Sequence, residues 1–249
     1  MTEVTFAARL RRRDLLLGTI VTLASPEVTE ILSTSGLDWL FIDGEHAPID
    51  FLAAQTLLAT SRVPCLMRVP EATEAMFKKA LDIGAAGVIV PMVNSAQQAK
   101  AIVTFCKYPP RGVRGVGRVR AQGYGFDFAR YMAQANDETV VVVQCEHISA
   151  VEAIQAIAAV EGVDAVLVGP YDLSGSMGLL GQVEHPKVLD AIKHVADVCR
   201  SAGRALGIYT NTADQMKSFI AQGYTLVAVG VDVAALGDAA RATVKIIRG

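Results

Sequence analysis

The sequence predicts an α/β protein that folds as a (β/α)8 TIM barrel. Three observations support this: apolar strand-like segments alternate with helix-like segments, eight strand-like segments occur, and 249 residues is a usual length for this barrel. No composition shift or linker divides the chain, so we expect one domain over residues 1–249. The alternative is an open doubly wound sheet, but no G-x-G-x-x-G turn follows the first strand.

The strand-like segments are short and apolar, as expected of parallel strands buried on both faces. They are predicted at residues 15–22, 39–43, 64–68, 87–91, 140–146, 163–169, 205–209 and 226–230. Helix-compatible sequence follows each strand, and several of these stretches stop at a glycine, the preferred residue of a helix C-terminal cap. Helices are predicted at residues 26–35, 49–60, 74–83, 95–107, 128–135, 150–160, 186–202, 213–222 and 233–247.

The composition argues against several classes of function. A hydrophobic fraction of 52% and a charged fraction of 19% indicate a large core, and a net charge of -2 gives no electrostatic basis for binding nucleic acid or an anionic membrane. No apolar run reaches the ~18 residues of a spanning helix. Four cysteines lie in apolar stretches without a C-x-x-C pair, which indicates core residues in a reducing cytoplasm.

Two carboxylates follow consecutive strands near the middle of the chain. Glu146 ends the predicted fifth strand and Asp172 follows the sixth. Gln144 leaves the same strand face as Glu146, whereas Cys145 and His147 leave the other. The carboxyl ends of neighbouring parallel strands meet at one edge, so Glu146 and Asp172 should converge, and a hard cation takes oxygen ligands from such a pair. The alternative for either residue is helix capping.

Chemistry in a TIM barrel belongs at the carboxyl ends of the strands, so other polar residues there are candidates. The second strand ends in the run Asp-Gly-Glu-His that closes at His46, and the third ends in Arg68. His46 is interpreted as a candidate base, with a structural role as the alternative. Structural roles are assigned to the other three histidines: His147 leaves the strand face opposite Glu146, and His185 and His194 are interpreted as surface or capping residues.

The lysines exclude one kind of carbon–carbon lyase. A Schiff-base enzyme needs a lysine that projects into the barrel from a strand, and every lysine here falls in a predicted helix or loop. No dinucleotide motif supports hydride transfer either. Metal-assisted chemistry on a small 2-oxo acid remains, in which a cation stabilises an enolate and a base moves the proton.

One long irregular segment, residues 108–127, interrupts the alternation of strands and helices. Loops of this length are usually functional or disordered. Its arginines could attract an anionic substrate or a partner subunit, and solvated charge is the favoured interpretation for each one. These arginines are Arg111, Arg114, Arg118 and Arg120.

Several blocks in the same order resemble the HpcH/HpaI family of metal-dependent class II pyruvate aldolases, which includes 4-hydroxy-2-oxoheptanedioate aldolase and 2-dehydro-3-deoxyglucarate aldolase. The resemblance covers nearly the whole chain. It implies a modified TIM barrel that commonly assembles as a homohexamer built from dimers. The blocks are FIDGEHAP at 41–48, VPMV at 90–93, KYPPRGVRGVG at 107–117, QCE at 144–146 and GPYDLSGSMG at 169–178.

The resemblance implies roles for the matched positions. Glu146 and Asp172 match metal ligands, so the implied cofactor is a divalent cation such as Mg²⁺, Mn²⁺ or Co²⁺. Arg68 matches the arginine that holds the pyruvate moiety and stabilises its enolate, and Gln144 matches a residue that contacts the oxo-acid. Backbone donors to the substrate are expected at a helix start between Gly169 and Asp172.

The implied reaction is retro-aldol cleavage of a 4-hydroxy-2-oxo acid to pyruvate and an aldehyde through a metal-stabilised pyruvate enolate, together with the reverse addition. His46 matches the base that takes the 4-hydroxyl proton. Asp82 matches an acid that raises the basicity of this histidine, and Asp43 is a weaker candidate for orienting it. Two residues next to the substrate pocket depart from the family pattern. Tyr171 stands where some relatives have a small residue, and Ile20 stands where some have tryptophan.

Two alternatives stay open. A lyase or decarboxylase of the same superfamily could act on a CoA ester or on oxaloacetate, and residues 108–127 are the only candidate for a basic nucleotide groove. The other alternative is a non-catalytic barrel that binds a metabolite. The expected partners are small-molecule 2-oxo acids and aldehydes and further copies of the chain, with no nucleic acid and no membrane.

Overall fold

The computed structural model describes residues 4–249, and in it eight parallel strands form a closed barrel. Each strand pairs with the next in sequence, and the last pairs with the first. The predicted TIM barrel is confirmed and the open sheet is wrong. The strands are β1 (Leu16–Val21), β2 (Trp39–Asp43), β3 (Cys65–Arg68), β4 (Gly87–Val90), β5 (Val140–Cys145), β6 (Ala165–Val168), β7 (Ala205–Thr210) and β8 (Leu226–Val231).

Helices surround the barrel, and many begin where a side chain caps the first turn. The oxygens of Asp50, Thr73 and Ser95, for example, accept hydrogen bonds from backbone N–H groups three residues later. The helix predicted at residues 150–160 is two short helices, and two further short helices lie outside the predicted ones. The α-helices are α1 (Phe6–Arg11), α2 (Pro26–Ser33), α3 (Phe51–Thr60), α4 (Glu74–Asp82), α5 (Ala96–Cys106), α6 (Phe128–Glu138), α7 (Ile148–Glu152), α8 (Ile154–Ala158), α9 (Pro170–Ser176), α10 (Pro186–Ser201), α11 (Ala213–Ala221) and α12 (Asp232–Arg248).

Side chains alternate along the strands and form two apolar layers. Inward residues such as Leu66, Ile89 and Val142 fill the barrel, and outward residues pack against the helices. Helix α1 contributes Ala7 and Leu10 to the inner layer, next to the amino ends of the strands. The carboxyl ends therefore remain the place for polar groups. All four cysteines are buried, as predicted for core residues. Within residues 4–249, no helix is long and apolar enough to cross a bilayer.

The segment between α5 and α6 packs against the protein and ends in a short 3₁₀ helix, Arg120–Gly125. Arg114 is fully buried; its Nη2 donates to Asp82 Oδ1 at 2.7 Å, and its guanidinium lies 4.5 Å from the centre of the Tyr108 ring. Arg120 donates to two backbone carbonyl groups. The interpretation of solvated charge is therefore wrong for these two arginines, and the other two of the segment are exposed as expected.

We expect Arg114→Ala to lower the free energy of unfolding by about 3 kcal/mol, because it leaves the Asp82 carboxylate without its partner and opens a void beside Tyr108. Arg111→Ala is the matched control. It removes an exposed ion pair with Asp137 and should change stability by less than about 1 kcal/mol. Urea unfolding followed by circular dichroism measures both, and equal midpoints for the two variants would contradict the expectation.

Candidate active site

The carboxyl ends of β2 and β3 place Arg68 beside two carboxylates. The register pairs Asp43 with Arg68, and Arg68 Nε and Nη2 donate to Oδ1 and Oδ2 of Asp43 at 3.0 and 2.7 Å. Arg68 Nη1 lies 3.1 Å from Glu45 Oε2, and the guanidinium lies 5.2 Å from the centre of the Phe41 ring. The two hydrogen bonds to Asp43 use two of the five N–H groups of the guanidinium, and the ion pair with Glu45 helps to hold it in one orientation. The N–H groups that remain on Nη1 and Nη2 can contact a substrate anion.

Asp43 also forms the turn that carries His46. Its Oδ1 accepts hydrogen bonds from the backbone N–H groups of Glu45 and His46 at 3.1 and 3.2 Å. Burial by itself would raise the pKa of Asp43, but its hydrogen bonds to Arg68 and the charge of Arg68 bring that pKa below its ordinary value. Asp43 is therefore a stable anion that positions the backbone of His46, and its carboxylate does not bond to the imidazole ring.

The His46 side chain projects from this turn and is 70% exposed. Its Nε2 lies 3.7 Å from Glu45 Oε2, the same oxygen that faces Arg68 Nη1. Asp82, which the resemblance assigned to this histidine, is instead bonded to Arg114 at the end of α4 and makes no bond to His46 within the described chain. Glu45 is thus the acid that the fold brings to His46.

Glu45 had no predicted role, because it lies in the turn that follows β2, where the alternation of a strand does not fix the direction of a side chain. The signal that could have found it is its place in the run Asp-Gly-Glu-His at the carboxyl end of a strand. Burial is the largest influence on the pKa of Glu45 and raises it above its ordinary value. The charges of Arg68 and His46 oppose this rise, and the smaller effects of the Asp43 and Asp172 charges add to it.

Glu146 is held rigidly at the end of β5, where only 5% of the residue is exposed. Its Oε1 accepts a hydrogen bond from the backbone N–H of Met92 at 2.7 Å, and its Oε2 accepts one from Gln144 Nε2 at 2.7 Å. Met92 has a φ of 53°, a conformation that is uncommon for a residue with a side chain and is typical of functional sites. The expected common face of Gln144 and Glu146 is confirmed.

Gly169 leaves the space that Glu146 occupies. A Cβ atom at position 169 would lie 2.8 Å from Glu146 Cβ and 2.9 Å from Glu146 Oε2. Gly169 precedes α9, and Asp172 lies in the first turn of that helix without a capping hydrogen bond. The capping interpretation of Asp172 is therefore wrong.

The set of backbone N–H groups that could donate to a substrate at the start of α9 is smaller than expected, because Gly169 N–H bonds to Cys145 O and Pro170 has no N–H. Only Tyr171 and Asp172 can supply them.

The charges around Glu146 fit a bound cation. Burial is the main reason that the pKa of Glu146 rises to about 7, and the carboxylates of Glu45 and Asp172 add to the effect, although Met92 N–H and the more distant Arg68 oppose it. The side-chain oxygen of Gln144 is also buried without a partner. No group of three or more His, Cys, Asp or Glu residues within positions 4–249 is arranged to hold a metal. Two carboxylates would leave the other coordination positions of a hard cation to substrate and water.

The other histidines have the structural roles that were expected of them. His147 and His185 accept hydrogen bonds from the backbone N–H groups of Ser149 and Lys187 at the starts of α7 and α10. His194 is exposed on α10. Within the described residues, no hydrogen bond or ion pair joins any of these three histidines to Arg68, His46 or Glu146.

Residues 17–239 match the family model described as HpcH/HpaI aldolase/citrate lyase. This chain belongs to the HpcH/HpaI family. It is 39% identical to the hydroxypyruvate/pyruvate aldolase of Roseovarius nubinhibens over 96% of this chain and 95% of that protein. It is 40% identical to the 4-hydroxy-2-oxovalerate aldolase of Rhodococcus jostii, over 82% and 80% of the two chains.

The solved structures agree with the family assignment. An HpcH/HpaI aldolase/citrate lyase family protein from Burkholderia cenocepacia superimposes with a TM-score of 0.95 at 33% identity, covering 99% of this chain and 100% of that one. The HpcH/HpaI chain described here is therefore an enzyme, a carbon–carbon lyase of the aldolase type, rather than a non-catalytic barrel.

We expect Gly169→Ala to reduce kcat/KM for pyruvate release from a 4-hydroxy-2-oxo acid by about 100-fold, because the new methyl group displaces the Glu146 carboxylate. Gly175→Ala, in the helix α9 that follows Gly169, is the matched control. Its Cβ would contact only the exposed Leu180 side chain, at 3.2 Å, and activity should be retained. Steady-state kinetics with thermal unfolding as a check on folding measures both, and equal activities would contradict the role given to Gly169.

Glu45→Gln should lower kcat/KM for the same reaction by about tenfold, because the neutral amide no longer orients Arg68 and His46 by charge. Glu30→Gln, which alters an exposed pair with Arg62, should leave kinetics unchanged. If Glu45→Gln is as active as the wild type at every substrate concentration, Glu45 has no part in aligning these two side chains.

Proposed function

We propose that this enzyme cleaves a 4-hydroxy-2-oxo acid to pyruvate and an aldehyde, catalyses the reverse addition, and uses a divalent cation. The observation that carries the proposal is the buried Glu146 carboxylate, surrounded by excess negative charge and accompanied at the barrel mouth by Arg68 and His46. The names of its relatives, hydroxypyruvate/pyruvate aldolase and 4-hydroxy-2-oxovalerate aldolase, support the same substrate class.

Arg68 binds the oxo-acid in this proposal. Its Nε and one Nη2 N–H are held by Asp43, and the N–H groups that remain on Nη1 and Nη2 can contact a carboxylate or the oxygen of the enolate. A guanidinium fixed before the reaction stabilises negative charge as it develops, without reorientation during the step. Arg68 therefore acts both on the bound substrate and on the enolate.

His46 moves the proton. In the cleavage direction its imidazole takes the proton of the 4-hydroxyl group, and the O–H electrons form the aldehyde carbonyl as the C3–C4 bond breaks. The electron pair of that bond becomes the pyruvate enolate, and protonation at C3 gives pyruvate. The exposure of His46 at the mouth suits this role, because the aldehyde leaves towards solvent.

Glu146 and Asp172 would hold the cation, for which Mg²⁺, Mn²⁺ and Co²⁺ are suitable. A cation bound there would supply Lewis-acid stabilisation of the negative charge on the oxo-acid. The hydrogen bonds from Met92 N–H and Gln144 Nε2 keep the Glu146 oxygens in fixed positions for this purpose.

The CoA-ester alternative loses its main support. It required a basic groove in residues 108–127, yet Arg114 and Arg120 are bound within the protein and Arg111 is paired with Asp137, which leaves the exposed Arg118 as the one remaining arginine of that segment. The homo-oligomer stays a prediction, and the surface of α12 favours it, since five large apolar residues of that helix are exposed. These residues are Val233, Leu236, Val244, Ile246 and Ile247.

Pyruvate release by chelator-stripped protein tests the proposal. With a panel of 4-hydroxy-2-oxo acids, we expect little activity without metal and recovery on addition of Mg²⁺, Mn²⁺ or Co²⁺. Glu146→Ala should lose about 1000-fold in kcat/KM, because several kcal/mol of charge stabilisation disappears. Glu152→Ala, an exposed glutamate on the neighbouring α7, is the control.

Each result of this experiment has a defined meaning. Full activity of the chelator-stripped protein would contradict the proposal that the reaction needs a divalent cation. Absence of pyruvate with every oxo-acid, from a folded protein supplied with metal, would contradict the retro-aldol reaction, and cleavage of a CoA ester by that protein would establish the alternative.

A further inference from the structure

A tyrosine and an asparagine form a polar pair on the side of the barrel that faces Arg68. Tyr209 lies near the carboxyl end of β7, which is opposite β3 in the ring of eight strands. Its ring packs against the apolar cluster inside the barrel, so the side chain points inward. The Tyr209 hydroxyl and Asn211 Oδ1 are 2.7 Å apart.

Small residues flank Tyr209 on both neighbouring strands. The register of β7 and β8 pairs Tyr209 with Ala228. On the other side Val168 pairs with Ile208, which puts Gly169 next to Tyr209. Neither neighbour has a side chain long enough to cover the phenol, and Tyr209 is only half-buried while Asn211 is exposed. The pair is therefore accessible from the barrel mouth.

The pair presents one hydrogen-bond acceptor and one donor. Tyr209 donates its proton to Asn211 Oδ1, which leaves the phenol oxygen as an acceptor and Asn211 Nδ2 as a donor. If the amide is turned over, the two roles exchange and the pair still offers one of each. Burial, and then the nearby Tyr171 phenol, raises the pKa of Tyr209, so the phenol keeps its proton at neutral pH. An aliphatic hydroxyl group, itself both donor and acceptor, is the complementary ligand.

We propose that Tyr209 and Asn211 bind a hydroxyl group on the part of the substrate opposite Arg68, and so favour hydroxylated substrates over unsubstituted ones. This inference rests on the proposed aldolase reaction and specifies its substrate class. The hydroxyl has two chemical sources, the aldehyde and the oxo-acid, and the same pair of atoms recognises either. Tyr209 and Asn211 act on specificity and take no part in bond cleavage.

Two comparisons in the addition direction separate the sources. The aldehyde arm compares glycolaldehyde with acetaldehyde, each with pyruvate, and the oxo-acid arm compares hydroxypyruvate with pyruvate, each with acetaldehyde. For each arm the measured quantity is kcat/KM for the hydroxylated substrate divided by kcat/KM for the unsubstituted one. In the arm whose hydroxyl group the pair binds, we expect Tyr209→Phe to lower this ratio by about threefold to tenfold, the effect of one hydrogen bond. Asn211→Ala should lower the same ratio. Tyr224→Phe, which removes a buried hydroxyl without a partner, should change neither.

Unchanged ratios in both arms for both variants would overturn the inference while leaving the aldolase reaction intact. If Tyr209→Phe is inactive with every substrate, Asn211→Ala decides the question, because residue 211 is exposed and its replacement does not disturb the core. A folded, metal-supplied wild-type protein that is inactive in both arms and releases no pyruvate from any 4-hydroxy-2-oxo acid would overturn the proposed function and this inference together.

Discussion

Closure of eight parallel strands puts all their carboxyl ends on one rim, and the contacts of the site that join different strands depend on that constraint. The register between β2 and β3 brings the Asp43 carboxylate to Arg68, 25 residues later in the sequence. The register between β5 and β6 brings Gly169 against Glu146. A shift of one residue in either pair would turn these side chains from the interior of the barrel to the layer of helices.

The balance of charge on this rim explains why its carboxylates behave differently. Asp43 has a bidentate arginine and two backbone N–H donors, so its pKa falls below the ordinary value despite burial. Glu146 has one backbone donor and one amide donor, and burial raises its pKa to about 7. The pKa values of these two buried carboxyl groups thus differ because Asp43 has a cationic side chain as its direct partner and Glu146 does not. A cation beside Glu146 would remove this difference in pKa.

Backbone geometry and small residues make this arrangement possible. The left-handed conformation of Met92 coincides with the hydrogen bond from its N–H to Glu146, and the absence of a side chain at Gly169 admits the carboxylate from the other direction. The same absence leaves one side of Tyr209 open. Both the position of the Glu146 carboxylate and the proposed specificity pair therefore depend on Gly169, the glycine that follows β6.

The sequence by itself determined the barrel and part of the site. Apolar segments of strand length, separated by helical segments, have few compact solutions, and the spacing of Gln144 and Glu146 directs both side chains inward from an extended strand. Only the tertiary structure decided the partners of the charged groups. Arg114 forms an ion pair with Asp82, 32 residues earlier, and Glu45 lies between Arg68 and His46. Periodicity reports which face a side chain leaves, whereas its partner depends on rotamers and on segments distant in sequence that meet only when the barrel closes.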